Sequence, residues 1–284
     1  MRLSPAWRLT RRVLFLYVPL ILVLMALLLP LYWMLITSFK GEVEIYSFSS
    51  QAPLIVKAPT LINYEWLFTK IPYARFFLNT IVVALVTTTF SLLVSVLAGY
   101  AVARLRFSGA AVIGVLIFIT YLIPRTLLFV PVAVVTQQLG VYGKLASLFL
   151  VYPTFVIPFC TWLLSGYFRT IPLEPEECAM VDGCSRIGAI IRITMPLAVP
   201  GILTAGIFGF TLTWNELLYA VVLVNGELNR TVALGVVTKF VTGDYYYLGP
   251  MMAGAVLGSV PVAILYFFFM DLYVSGLTVG AVKG

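Results

Sequence analysis

Six runs of mostly apolar residues set the limits on what this chain can become: residues 13–36, 80–103, 110–132, 148–167, 198–224 and 251–273. A helix needs about 20 such residues to cross the hydrocarbon of a bilayer. In lipid, every backbone N–H and C=O must be satisfied within the protein, so spanning runs of this length become helices. The wider composition agrees. Apolar residues make up 62% of the 284 and charged residues 10%, against about 45–50% and about 25% in a soluble domain. The expectation is an all-α membrane protein with six transmembrane helices. The first run is longer than the core of a signal peptide and lacks a small-x-small cleavage pattern, so it reads as retained.

An even number of spans puts both ends on one side. The net charge of +7 comes from bases scattered between apolar runs, which suits topology signals rather than nucleic acid. Ten of the 18 basic residues fall on one side of the six-span scheme, and Arg2, Arg8, Arg11 and Arg12 cluster before the first span. That places both termini in the cytoplasm. Histidine is absent, and Cys160, Cys178 and Cys184 show no metal-type spacing, so no metal site and no cofactor is expected.

The first external segment, residues 39–77, is the longest piece outside the spans. In it Thr60 is placed to cap a short helix that Pro72 ends, and Trp66, Phe68, Tyr73, Phe76 and Phe77 suit the headgroup layer.

The piece between the fourth and fifth runs is different. "RTIPLEPEECAMVDGCSRIGAIIRITMPLAVP" carries acids, a glycine, a serine and paired prolines. Pro175 is tolerated in a first helical turn, and acids there complement the positive helix end. A helix over residues 174–182 is expected, ended by Gly183, which adopts the left-handed conformation without a Cβ clash. Ser185 then caps a second helix, residues 186–195, that stops before Pro196. Cys178 and Ala179 are small enough for another protein to approach closely, and Glu177 and Asp182 offer it carboxylates.

"EECAMVDGCSRIGAIIRITMPLAVPGI" resembles the EAA loop of binding-protein-dependent ABC importer permeases, at Glu177, Cys178, Ala179, Asp182, Gly183, Pro196 and Pro200. Cys178 stands where that family usually has alanine. "FFLNTIVVALVTTTFSLLVSVLAGYAVARLRFSG" is similar to the family's second span, "WNELLYAVVL" to a stretch of its fifth, and "VSGLTVGAVKG" to the tail of its carbohydrate branch. Asp271 departs from the arginine common in that branch. The resemblance implies the type I ABC importer permease fold, with residues 1–74 as N-terminus, first helix and external segment. Residues 75–273 would be the permease core, with its coupling loop at about 172–196, and residues 274–284 a cytoplasmic tail. It implies a subunit of an ATP-driven sugar importer in a bacterial or archaeal inner membrane. The implied partners are a second, different permease, two cytoplasmic ATP-binding subunits, an extracytoplasmic sugar-binding protein, the carbohydrate and membrane lipid, with no nucleic acid. The coupling loop would be Glu177, Cys178, Ala179, Asp182 and Gly183 docking on an ATPase. No G-x-x-x-x-G-K-[ST] occurs in the chain, so the phosphate-binding loop must come from another polypeptide.

Six further residues stand out. Asn215 and Glu216 lie in the fifth run, where an ionisable group either lines a pathway or gate or reaches the headgroups. Arg125 follows Pro124 in the third, where it either marks a bend in the pathway or snorkels to the interface. Lys283 is either a solvated terminus or, by the tail resemblance, a contact between two ATPases. Gly254 and Gly258 allow close helix packing, best read as internal to the chain. An ion-coupled secondary transporter is the alternative. It requires ionisable groups at mid-membrane and usually internal repeats, and no clear repeat is visible. An intramembrane enzyme is disfavoured because no Ser/His pair can be built.

Overall fold

The computed structural model describes residues 13–47, 54–105, 107–242 and 245–278. Its helices, in chain order, are α1 (Val18–Ser38), α2 (Glu42–Tyr46), α3 (Ile62–Thr69), α4 (Tyr73–Arg104), α5 (Ala110–Leu122), α6 (Phe129–Gln138) and α7 (Ala146–Val151). There follow α8 (Pro153–Phe168), α9 (Glu174–Val181), α10 (Arg186–Ala189), α11 (Met195–Trp214), α12 (Leu218–Leu223), α13 (Val232–Phe240) and α14 (Leu248–Thr278). The only strands among the described residues are β1 (Val241–Thr242) and β2 (Tyr245–Tyr246), antiparallel with Val241 opposite Tyr246.

Five helical stretches are long and apolar enough to cross a membrane: Leu14–Ser38, Tyr73–Arg104, Ala146–Phe168, Arg186–Trp214 and Leu248–Met270. The sixth expected span is a bent pair, Ala110–Leu122 and Arg125–Gln138, at 86° to each other. The proline there does more than kink the helix. Ile123 takes an extended conformation (φ −64°, ψ 124°), the conformation that a following proline favours, and Arg125–Leu128 form a 3-10 turn.

Two compact units make up the chain. In the first, Met1–Ile71 with Val236–Leu257, the buried amide of Asn63 donates to Ser38 O (2.9 Å) and Lys40 O (2.7 Å), tying α3 to the end of α1. Thr60 Oγ1 accepts from Ile62 N at 3.2 Å, as its place before α3 suggested. Lys70, not Pro72, follows the last residue of α3, and Pro72 instead opens α4, because its fixed φ and missing N–H suit a first turn. Trp66 stacks on Tyr247 and lies tilted against Phe240.

The second unit, Pro72–Gly235 with Gly258–Gly284, is built around α4, α8 and α11. Its core includes Val83, Tyr152, Val156, Cys160, Leu164, Phe168, Ala205 and Tyr219. Gly201 of α11 meets the Tyr167 ring of α8 so closely that there is no room for a Cβ. Thr88 of α4 shares a 3.3 Å hydrogen bond with Thr213 of α11. Tyr73 and Phe76, expected in the headgroup layer, are instead buried at 2% and 0% exposure. Gly235 carries no side chain where Phe76 packs, and the burial of so large a ring outweighs any interfacial preference. Gly258 contacts Val232 and accepts the Trp214 indole N–H at 2.9 Å, so it serves packing within the chain. The segments after α6 and α12 are laced by backbone: Gly143 N donates to Leu223 O (2.9 Å) and Asn225 N to Gly143 O (3.0 Å).

The fifth span departs most from expectation. The run over residues 198–224 is not the helix. Helix begins at Arg186 and runs to Trp214, and the segment beyond breaks at residues 215–217 into α12. Nor does the second short helix stop at Pro196. A π-turn over Ile190–Thr194, closed by Met195 N donating to Ile190 O, carries the chain into α11 with Pro196 in its first turn. There a missing N–H costs little, and the wider turn keeps the ring off the preceding carbonyls.

Candidate coupling segment

The helix α9 opens with Pro175 in its first turn and Glu174, Glu176 and Glu177 beside it, the acids complementing the positive helix end. It closes as a Schellman-type turn. Gly183 N donates to Met180 O (3.2 Å) and Cys184 N to Ala179 O (2.9 Å), with Gly183 at φ 92°. Two residues on, Ser185 Oγ accepts from Gly188 N at 3.2 Å and starts α10. The end of α9 is therefore closed by a backbone turn at Gly183, and the start of α10 by the Ser185 side chain.

The segment has two faces. Glu177, Cys178, Asp182 and Gly183 are exposed, and Ala179 is half-buried. Beside them Val181 is 87% exposed and Ile187 69% exposed. This exposed side thus carries two bare apolar side chains together with two carboxylates. The opposite face carries Glu176, which sequence reasoning missed. It is the one buried residue of α9. Tyr100 OH donates to its Oε1 at 2.5 Å, and Thr194 Oγ1 donates to its Oε2 at 2.7 Å. Arg104 Nη2 donates to Ile171 O at 2.5 Å, just before α9. A faint signal was present: Glu176, Ala179 and Met180 share one helical face, opposite that of Glu177 and Val181.

Arg186 to Trp214 is 29 residues of helix, roughly 43 Å at 1.5 Å per residue, and its far end carries the other candidates. The structure brings Arg125 and Glu216 into one aromatic setting. Glu216, 7% exposed, accepts from Tyr152 OH (3.0 Å), from Tyr219 N (3.1 Å) and from Ala220 N (3.3 Å), so it acts as the cap of α12. The Arg125 guanidinium lies 4.3 Å over the Phe155 ring, and its carbonyl accepts from Tyr219 OH at 3.1 Å. Asn215 is not in this cluster. It is exposed and donates to Thr211 O of its own helix at 3.0 Å. Lys283 lies outside the described residues. Of the three cysteines, Cys178 is exposed, Cys184 half-buried and Cys160 buried. No group of three metal-ligating side chains occurs among the described residues.

Residues 91–279, from mid-α4 through the coupling segment and α14, match the model of the family described as binding-protein-dependent transport system inner membrane component. This chain belongs to that family. Over 260 residues it is 38% identical to the sulfoquinovosyl glycerol transport system permease protein of Agrobacterium fabrum, covering 90% of this chain and 89% of the relative. An inner membrane ABC transporter permease protein of Escherichia coli is 36% identical over 270 residues, covering 94% and 95%. Among solved structures, a chain of a bacterial ABC transporter involved in the import of the acidic polysaccharide alginate superposes with a TM-score of 0.80. At 19% identity it covers 95% of this chain and 99% of that one, a likeness of fold. The chain is thus a multi-pass transport permease of the binding-protein-dependent type, which works with partner subunits, and an ion-coupled carrier finds no support.

Proposed function

We propose that this chain is the permease subunit of an ATP-driven carbohydrate importer. It forms half of the translocation pathway beside a second, different permease. A separate pair of cytoplasmic ATP-binding subunits supplies the energy, and an extracytoplasmic sugar-binding protein delivers the solute. Glu177, Cys178, Ala179, Asp182 and Gly183 are the surface on which one ATPase docks, within residues 172–196 of a core that spans residues 75–273. Asn215, Glu216 and Arg125 belong to the substrate pathway or its gate, and Lys283, in the tail over residues 274–284, reaches the ATPases. Both termini are cytoplasmic.

The observation that carries the docking role is the exposed face of α9 and α10. Two capped helices hold Val181 and Ile187 bare beside two carboxylates, around a left-handed turn. The carbohydrate reading rests on family membership together with the named solute of the Agrobacterium relative. The test is to purify the tagged chain from its host membrane and identify what accompanies it. An ATPase and a second permease are expected; an ATPase-free, solute-transporting chain would refute the assignment. The native thiols check the orientation. An impermeant maleimide should spare all three cysteines in intact cells. In ATPase-stripped inside-out vesicles it should modify Cys178, less so once the ATPase is restored. Modification of Cys178 from outside would invert the topology.

A further inference from the structure

The helix α9 has eight residues, too few to hold itself together in water. Packing does not hold it either, since its one buried residue is an acid, Glu176. An unpartnered carboxylate in that position would be costly. Glu176 is tolerable there because both its oxygens are used, one by Tyr100 in the last turn of α4 and one by Thr194 in the π-turn that leads into α11. These partners lie 76 and 18 residues away in sequence. Arg186 also lies close to the Tyr100 hydroxyl, and the Tyr100 ring meets Phe168 edge-on at 5.7 Å. With the Arg104 bond to Ile171 O, the segment is anchored ahead of α9 as well.

We propose that Glu176 is the positioning residue of the coupling segment: it clasps α9 to α4 and α11 so that movement of the docked helix reaches both membrane helices together. The inference rests on the docking role proposed above and adds the route by which the motion leaves the docking face. Glu177, one residue on, faces the ATPase. Glu176 faces the membrane helices. The covalent turn at Gly183–Ser185 joins α9 to α10 alone and makes no bond to α4. The two O–H···O bonds fix the distance from α9 to both helices.

The test uses the whole importer in liposomes, with Cys160→Ala, Cys178→Ala and Cys184→Ser in the chain and Asn215→Cys as reporter at the far end of α11. Trapping the ATPases with ADP and vanadate should change the rate at which an impermeant maleimide modifies the reporter. Tyr100→Phe and Thr194→Val each remove one donor and keep the side chain's bulk. Both should trap the same amount of nucleotide while the change in labelling rate shrinks about fivefold or more, the low end of a typical coupling factor. Thr194→Ser restores the donor and should behave as the parent. If both variants keep the parent's response per trapped complex, or fail to assemble at all, the clasp is wrong and the bonds are merely structural. If the parent itself shows no response to trapping, the docking role fails before the clasp is reached.

Discussion

Two prolines, Pro124 within the third apolar run and Pro196 just ahead of the fifth, have opposite effects. At Pro124 the run turns through 86°. At Pro196 the helix continues from Arg186 to Trp214. The difference lies in the residue before each. Ile123 is extended, as the proline ring prefers, whereas Met195 stays helical at φ −63°, ψ −46°. Packing decides between them. No residue of α5 is fully buried, so the packing that opposes the bend ahead of Pro124 is light. In α11, Ala198, Gly201, Thr204, Ala205 and five more residues beyond them are buried, and Met195 packs on the core. A proline sets a preference, and the neighbours of the helix decide whether it is met.

The bent side offers the sharpest test. Glu216→Ala should have the largest effect of all, because it strands the buried Tyr152 hydroxyl and the N–H groups of Tyr219 and Ala220. The cost should be on the order of 3 kcal/mol or more, read as a lower melting temperature in detergent. An unchanged melt would mean that α12 is held without its cap. On the straight side, Gly201→Val drives a branched side chain into the Tyr167 ring. Overpacking of that kind costs about 1–3 kcal/mol. Since α11 meets α8 at this contact, spin labels on α8 and α11 should move apart, and an unaltered spacing would undo the packing argument.

Gly183→Val comes next. At φ 92° a residue with a Cβ is strained by about 1–2 kcal/mol, and a branched one by more. The chain should insert and pair with its permease partner yet lose most of the co-purifying ATPase. Full retention of the ATPase would remove the turn from the docking surface. The smallest effects are expected from the prolines themselves. Pro196→Ala should leave α11 as it is, with stability changed by about 1 kcal/mol or less. Pro124→Ala should leave the bend, because Tyr219 OH still holds Arg125 O and the guanidinium still covers Phe155. Straightening of α5 and α6 in that variant, measured between labels on each, would show that the proline acts alone.

The same contrast explains what could be read from the residues. Caps are local chemistry, so Ser185 and Gly183 announced their turns, and Thr60 the start of α3. Apolar runs are nearly local, which is why four of the spans lie within a turn or two of their expected positions. Pro196 misled because the same rule holds for both prolines and only the fold separates them. The fifth run shifted for the same reason: Glu216 looked like a charge in a membrane helix, and it is the cap of a new one. Glu176 left only a faint signal, for a stricter reason. Its meaning depends on Tyr100, 76 residues away, and no spacing within the segment encodes that partner.

The backbone lacing of Gly143 with Leu223 and Asn225 has a consequence for timing. An amide so bonded exchanges its hydrogen for deuterium only when the bond opens. The Gly143 and Asn225 amides therefore act as a clock on the segments that follow α6 and α12. Any step of the transport cycle that parts those segments will appear as faster isotope uptake at these two positions, and the uptake measured there reports the fraction of time that end of the permease stands open.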